Sequence, residues 1–405
     1  MSARVALRCV FFALLSLVGA RAEALPRFAA RTGGDCRLCH VSPGGGGMRN
    51  RYGAGVFQRH DLGMKLGGDA EDDDGFSFSP QLTEWLSIGT DLRTAYIYSA
   101  PDKSPVPGTP VDPTNTFLLM QADLYTAAQL GSHVQVALDV GVYTGFEAWA
   151  LVKAAAHPSD FDLYLKVGRF MPSFGLRDAN HDSYARQGVG LGAADRDTGV
   201  ELTGIAGPVT LSVAVLNGTF GETAFDGHGT DHRGFEKAVA SRLAVRMGTE
   251  NFHLQLGGSF YWNDNVEKVN PLFRPSLAAS IDPGVGVDEI RADAFLLAAY
   301  GRLSYTADAV FVSDQVTGKN GHLKGYAASQ ELGLVLFQGV ELIGSFEFAD
   351  PDIDLADDAS IRVGGAAELF FGPYFELRAM ARHAFSKNAA TGDVTDLLVF
   401  AHAAF

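Results

Sequence analysis

The chain has 405 residues, 47% hydrophobic and 20% charged, and its 47 acidic against 32 basic side chains leave a formal net charge of −15. That balance excludes a nucleic-acid binder, which needs a cationic excess to neutralise phosphates. Aromatic and β-branched content excludes disorder, three cysteines cannot staple a disulfide scaffold, and a lone apolar stretch at the N-terminus excludes a bundle of membrane helices.

Residues 1–22 read as a cleaved secretory signal. Arg4 and Arg8 supply the positive n-region, Val10 to Val18 the apolar run, and Ala20-Arg21-Ala22 an A-x-A cleavage site. Cys9 leaves with this signal, and Arg8 before it stands where lipid attachment needs a small residue.

Cys36-Arg37-Leu38-Cys39-His40 is the C-x-x-C-H spacing of covalent haem c attachment. Two thiols add to the two vinyl groups of one haem, and the adjoining imidazole reaches the iron. A plain C-x-x-C disulfide leaves His40 a coincidence. Structural zinc needs a second Cys/His pair, and the mature chain has no further cysteine. Cys36, Cys39 and His40 are therefore the expected cofactor-binding residues, with His40 the expected metal ligand. Residues 23–75 form the expected haem-binding segment. The glycine run Gly44 to Gly47 argues against a long helix directly after the motif, and Arg51 to His60 suits one short helix. The candidates for a sixth iron ligand are Met48, His60 and Met64, with five-coordinate iron as the remaining option. Glu71-Asp72-Asp73-Asp74-Gly75 reads as a solvated linker.

From Leu82 the hydrophobic period is 2. Val134, Val136, Leu138, Val140 and Val142 share one face against Gln135 and Asp139, and Val340, Leu342, Phe346 and Phe348 oppose Glu341, Ser345 and Glu347. A half-buried soluble sheet shows such alternation too. The punctuation separates the cases, because brief glycine turns alternate with long polar stretches as in a transmembrane barrel. Strands are expected near 82–98, 116–131, 134–144, 147–156, 161–170, 197–206, 208–217, 237–248, 252–263, 289–300, 303–314, 326–338, 340–350, 359–372, 374–386 and 396–405. The stretch 147–156, alanine-rich with Trp149 and Lys153, also suits a short helix. Reading it as a strand gives the even count that single-chain bacterial barrels have. The expected fold is all-β: a 16-stranded antiparallel transmembrane β-barrel over 76–405, preceded by a small single-haem cytochrome c segment.

The signal, the haem motif within Arg31 to His40 and a barrel ending on Phe405 resemble the fused outer-membrane cytochrome-porins, whose best-known members are of the iron-oxidising type. Val167-Gly168-Arg169-Phe170-Met171-Pro172-Ser173-Phe174-Gly175 resembles a strand-end pattern of phosphate-selective and related porins. The resemblance implies a protein of the Gram-negative-type outer membrane, its haem segment on the periplasmic side or inside the barrel. It further implies single-electron transfer through one covalent haem c between an extracellular donor or acceptor, Fe(II) among them, and a periplasmic cytochrome or other redox carrier. The alternative is a solute-diffusion porin with an appended periplasmic haem segment. Asp178, Asp182, Asp195 and Asp197 read as solvated loop acids or as a cation-concentrating rim, and Arg169, Arg177, Arg186 and Arg196 as rim structure or an anion preference. Outer-membrane lipid is the expected surrounding. No hydrolase or transferase motif occurs, and the oligomeric state is left open.

Overall fold

The computed structural model describes residues 26–64 and 79–405, apart from 104–110, 143–145, 155–160, 178–182, 187–188, 193–194, 219–236, 267–285, 317–320 and 388–391. The signal 1–22 and the acidic linker Glu71 to Gly75 lie outside the described residues.

The first eight strands are β1 (Leu86–Pro101), β2 (Thr114–Leu130), β3 (Val134–Gly141), β4 (Phe146–Ala154), β5 (Phe161–Phe170), β6 (Asp197–Ala206), β7 (Val209–Leu216) and β8 (Ala238–Gly248). The others are β9 (Phe252–Val266), β10 (Val287–Tyr300), β11 (Leu303–Val316), β12 (Leu323–Phe337), β13 (Val340–Asp350), β14 (Ser360–Phe370), β15 (Phe375–Ser386) and β16 (Val394–Ala404). Each pairs antiparallel with its neighbours in sequence, and β1 pairs with β16, so the sixteen strands close into one barrel. The Trp149 stretch is a strand, β4, as the parity argument requires. At the seam Arg93 stands opposite His402, and the terminal Phe405 exchanges two backbone hydrogen bonds with Thr90, each 3.1 Å.

The short turns lie at one end, which we call the short-turn end. Gly131, Gly207, Gly301, Gly339 and Gly372 all hold positive φ there, a backbone state that costs glycine least. The longer connections lie at the other end.

Alternation now acquires an inside and an outside. Asp123 is 2% exposed and its neighbour Leu124 is 58% exposed. Asp139, Glu201 and Glu341 are likewise buried while Val140, Leu202 and Leu342 are exposed. Carboxylates inside and leucines outside invert the order of a soluble protein, and this arrangement is stable only where the surrounding medium is apolar. Trp85, Phe161, Tyr300, Phe337 and Phe375 are exposed near the short-turn end, where an aromatic girdle belongs. Leu124→Arg is expected to cost about 2–4 kcal/mol of folding free energy, the price of a charge on the lipid face near mid-membrane. Urea-titrated refolding into phosphatidylcholine vesicles measures it, and an unchanged midpoint would mean that this face does not meet lipid.

The lumen is filled. Helix α1 (Pro26–Thr32) and helix α2 (Gly53–Leu62), the second with π-type turns, lie inside the barrel toward the short-turn end. The helix expected at Arg51 to His60 is thus present, shifted by two residues. The loop between β5 and β6 folds inward instead of standing outside. Gly175 N–H donates to Ser259 Oγ at 2.8 Å, Leu176 N–H to Asp308 at 3.0 Å, and Arg291 Nε to the Val189 carbonyl at 3.1 Å. Phe174, Val189 and Leu191 are buried as a result. The strand-end pattern from Val167 to Gly175 marks the point where the chain leaves the wall and enters the lumen.

Candidate functional site

The N-terminal segment is held to the wall mainly by charge. Arg27 is buried and pairs with Glu368, with Glu341 at 3.4 Å and with Glu331 at 3.8 Å. Arg31 pairs with Glu341, and its carbonyl accepts from or faces His253 Nδ1 at 2.8 Å. Phe28 packs edge-on against Phe57 at 5.4 Å and Phe370 at 6.2 Å. At the rim Gln338 Nε2 donates to the carbonyls of His60 and Gly63, both at 2.8 Å, and Met64 N–H donates to Phe370 at 2.9 Å.

The cysteine motif sits on a short 3-10 turn, Cys36–Leu38, capped by Asp35. Asp35 accepts the Arg37 N–H at 3.0 Å and pairs with the Arg37 guanidinium at 2.7 Å and with Arg246 at 2.8 Å. Burial pushes the Asp35 carboxyl up, but these two arginines outweigh it and hold it down at about 2. The carboxylate therefore stabilises the loop above its ordinary titration range near pH 4, and that contribution is lost as the pH falls toward 2. Pepsin nicking of the N-terminal segment is expected to rise across that window. In Asp35→Asn it should be high throughout, and a wild-type step of equal size in the variant would refute the assignment.

Asn50 clamps the motif from the other side. Its Nδ2 donates to the carbonyls of Arg37 at 2.8 Å and Leu38 at 2.7 Å, while its Oδ1 accepts the N–H groups of Tyr52 and Gly53, both at 3.0 Å. One side chain thus starts α2 and ties it to the cysteine loop. Asn before a helical run is a capping signal, but its reach back to Arg37 and Leu38 is a tertiary fact. Gly45, Gly46 and Gly47 hold positive φ and form a tight turn, so no long helix follows the motif directly, as the glycine run led one to expect. Cys36 Sγ packs so closely there that a Cβ on Gly45 would stand 2.9 Å from it. Neither Cys36 nor Cys39 is in a disulfide. Burial pushes the Cys36 thiol up.

Cys39 and His40 line a cavity of about 530 Å³ between this segment and the barrel wall. Phe57, Tyr125, Phe370, Met380 and Leu398 give it apolar surface. The size falls within the range of small-molecule and cofactor sites. Cys36 stands one turn away behind the glycine loop, so two of the three motif residues face the cavity directly. Of the sixth-ligand candidates, Met48 is buried in a cluster with Tyr125, His60 is exposed, and Met64 packs on Gly339 at the rim. None of the three lines the cavity. Met120, Met171, Met380 and His402 do.

The loop residues fall differently from either sequence reading. Asp195 and Asp197 are not solvated acids. Asp195 accepts the Gly192 N–H at 2.5 Å, and the fully buried Asp197 accepts from Thr198 at 2.7 Å and Gly218 at 2.6 Å. The inward course of the chain turns both into backbone caps. Asp178 and Asp182 lie outside the described residues. Arg177, Arg186 and Arg196 line the cavity and do not ring the rim, and Arg169 donates to the Phe146 carbonyl at 3.1 Å.

Fold and site together define a porin-like transmembrane barrel whose lumen is filled from two sides, by its N-terminal segment and by an infolded loop. The solved structures agree on the fold. The anion-selective porin from Comamonas acidovorans superposes with a TM-score of 0.56 at 10% identity, over 79% of this chain and 99% of that one. The outer-membrane-expressed OmpT of Vibrio cholerae gives 0.53 at 12% identity, over 81% and 100%. No protein-family model matches the chain, and no curated protein matches it in sequence.

Proposed function

We propose that this chain is an electron-transfer protein of the Gram-negative-type outer membrane, carrying one covalent haem c on Cys36 and Cys39 with His40 as iron ligand. The observation that carries the reading is the placement of Cys39 and His40 on the wall of a lumenal cavity of about 530 Å³. The donor set suits the group, since two thiols and an imidazole at this spacing are what haem c attachment uses. Bound there, haem supplies one-electron exchange at its iron.

The chain's own residues do the rest. Asp35, Asn50 and the glycine turn fix the motif loop. Arg27, Arg31 and Gln338 seat the segment in the lumen, and the described residues between Met171 and Arg196 close it from the other side. An apolar band about 25 Å tall separates the two aqueous faces of such a barrel. A redox group inside the lumen shortens that gap for an external donor or acceptor on one side and a periplasmic redox carrier on the other. No general base or nucleophile is required.

A second reading has an observation of its own. One solved structure with this fold is an anion-selective porin, which favours a solute-diffusion channel with the haem segment appended. Liposomes enclosing an oxidised dye, with an impermeant reductant outside, separate the two. The electron-transfer reading expects dye reduction that disappears in Cys36→Ala/Cys39→Ala, with no small-solute leakage. Equal reduction without haem sinks it, and solute leakage through the wild-type protein supports the channel.

A further inference from the structure

The cavity is cationic inside a chain of net charge −15. Eight arginines and five carboxylates line it. The carboxylates are engaged. Asp91 and Glu376 grip the two ring nitrogens of His402 at 2.8 and 2.9 Å. Glu368 takes Arg27 and, at 3.3 Å, Arg378. Asp139 takes Arg196 at 3.5 Å, and Asp123 accepts from Gln121 at 2.7 Å and Tyr125 at 3.2 Å.

Three guanidiniums on the wall have no such partner. Among the described residues no carboxylate lies within 4.0 Å of Arg49, Arg177 or Arg186. Among the described residues Arg177 donates to the carbonyls of Gly45 and Met171, the latter at 2.9 Å. Arg186 donates to the Phe174 carbonyl and lies 5.6 Å from that ring's centroid, with Asp293 and Asp308 nearby but beyond ion-pair distance. Arg49 pairs its backbone with His40, and both residues line the cavity.

Cations held against a low-dielectric wall are costly unless an anion meets them, and carbonyl oxygens compensate only in part. The planar guanidinium fork matches a carboxylate with two parallel hydrogen bonds. Haem carries two carboxylates, its propionates. We propose that Arg49, Arg177 and Arg186 form a carboxylate-binding site that holds the propionates of the haem attached at Cys36 and Cys39, an assignment that rests on the haem reading above. A diffusing carboxylate has the same chemistry, so the test has to separate the two sources.

Succinate binding is measured by calorimetry on the detergent-solubilised full chain, haem-loaded and as the haem-free Cys36→Ala/Cys39→Ala protein. The midpoint potential of the loaded protein is measured for wild type, Arg49→Gln and Arg49→Lys. With propionates in the site, the haem-free protein binds succinate and the loaded protein does not. Arg49→Gln then weakens succinate binding by about tenfold, the scale of one charge-assisted hydrogen bond, and shifts the potential downward because a cation on the cavity wall is lost. Arg49→Lys keeps the potential near wild type because the charge stays, and binds succinate more weakly than wild type because an ammonium cannot present the fork. Equal succinate binding with and without haem assigns the site to a diffusing anion and overturns the proposal. An unmoved potential in a fully haem-loaded Arg49→Gln protein also overturns it while leaving the haem reading intact. A wild-type protein that shows no covalent haem on a denaturing gel fails the haem reading itself, and the propionate assignment with it.

Discussion

Reversing the charge of the lock, in Arg27→Glu/Arg31→Glu, is expected to turn a closed barrel into a conducting one. Arg27 and Arg31 face Glu331, Glu341 and Glu368 on β12, β13 and β14; Arg378 also pairs with Glu331 and Glu368, whereas among the described residues the almost wholly inaccessible Glu341 pairs with Arg27 and Arg31 alone. Removing one partner of a buried ion pair costs about 3–5 kcal/mol, because the other charge is left without compensation. Reversal adds repulsion to that loss. The contacts that remain on α1 itself, Phe28 on Phe370 and His253 on the Arg31 carbonyl, are too few to offset it, while Asp35 on Arg246 and Arg37 on Asp162 still hold the motif loop. Steady ionic current across planar bilayers is the readout, with wild type near the bare-membrane level and the variant showing discrete open steps. The infolded loop from Met171 to Arg196 stays in place, so the steps should be smaller than those of an unobstructed lumen. A variant as silent as wild type would mean that charge does not seat the segment.

Filling Gly53 is expected to have the second large effect. A Cβ there would overlap the Cys39 carbonyl oxygen and stand 2.9 Å from the Cys39 Cα. Both are backbone atoms and cannot rotate away, and Asn50 ties the two segments together on either side. Overpacking of this kind costs about 1–3 kcal/mol even where side chains give way. Gly53→Val should therefore push α2 off the cysteine loop and leave the barrel folded, seen as unchanged heat-modifiable migration on gels. On the proposed haem attachment, covalent haem in Gly53→Val should fall to a small fraction of wild type. Protease nicking of the segment should rise as well, and this second readout does not depend on haem. Normal protection in Gly53→Val would show that the close approach is not needed.

The barrel was legible residue by residue. Its signals are local: a period of 2, glycines at the short turns and the length of each run. The expected strands at 161–170, 197–206 and 340–350 match β5, β6 and β13 at both ends. The Trp149 stretch was ambiguous by composition, and the even count decided it correctly. For the candidate site the sequence offers only what is contiguous: Cys36, Cys39 and His40 fall within five residues, and the structure puts Cys39 and His40 on one cavity wall. The solvated acids expected at Asp195 and Asp197 were the wrong picture, because a polar loop gives no local sign that it will turn into a lumen.

The sequence by itself determined the strand pattern, the even count and the motif, since each depends on neighbours a few residues away. It also set the overall acidity. Only the tertiary structure decided that the N-terminal segment sits inside the barrel, that Arg27 meets Glu368 at a sequence separation of 341, and that the cavity is cationic in an anionic chain. The physical reason is closure. Pairing β1 with β16 turns one face of every strand toward a shared axis. Charges spread over the whole length then become neighbours, and a sum over the chain no longer describes the potential at any one place.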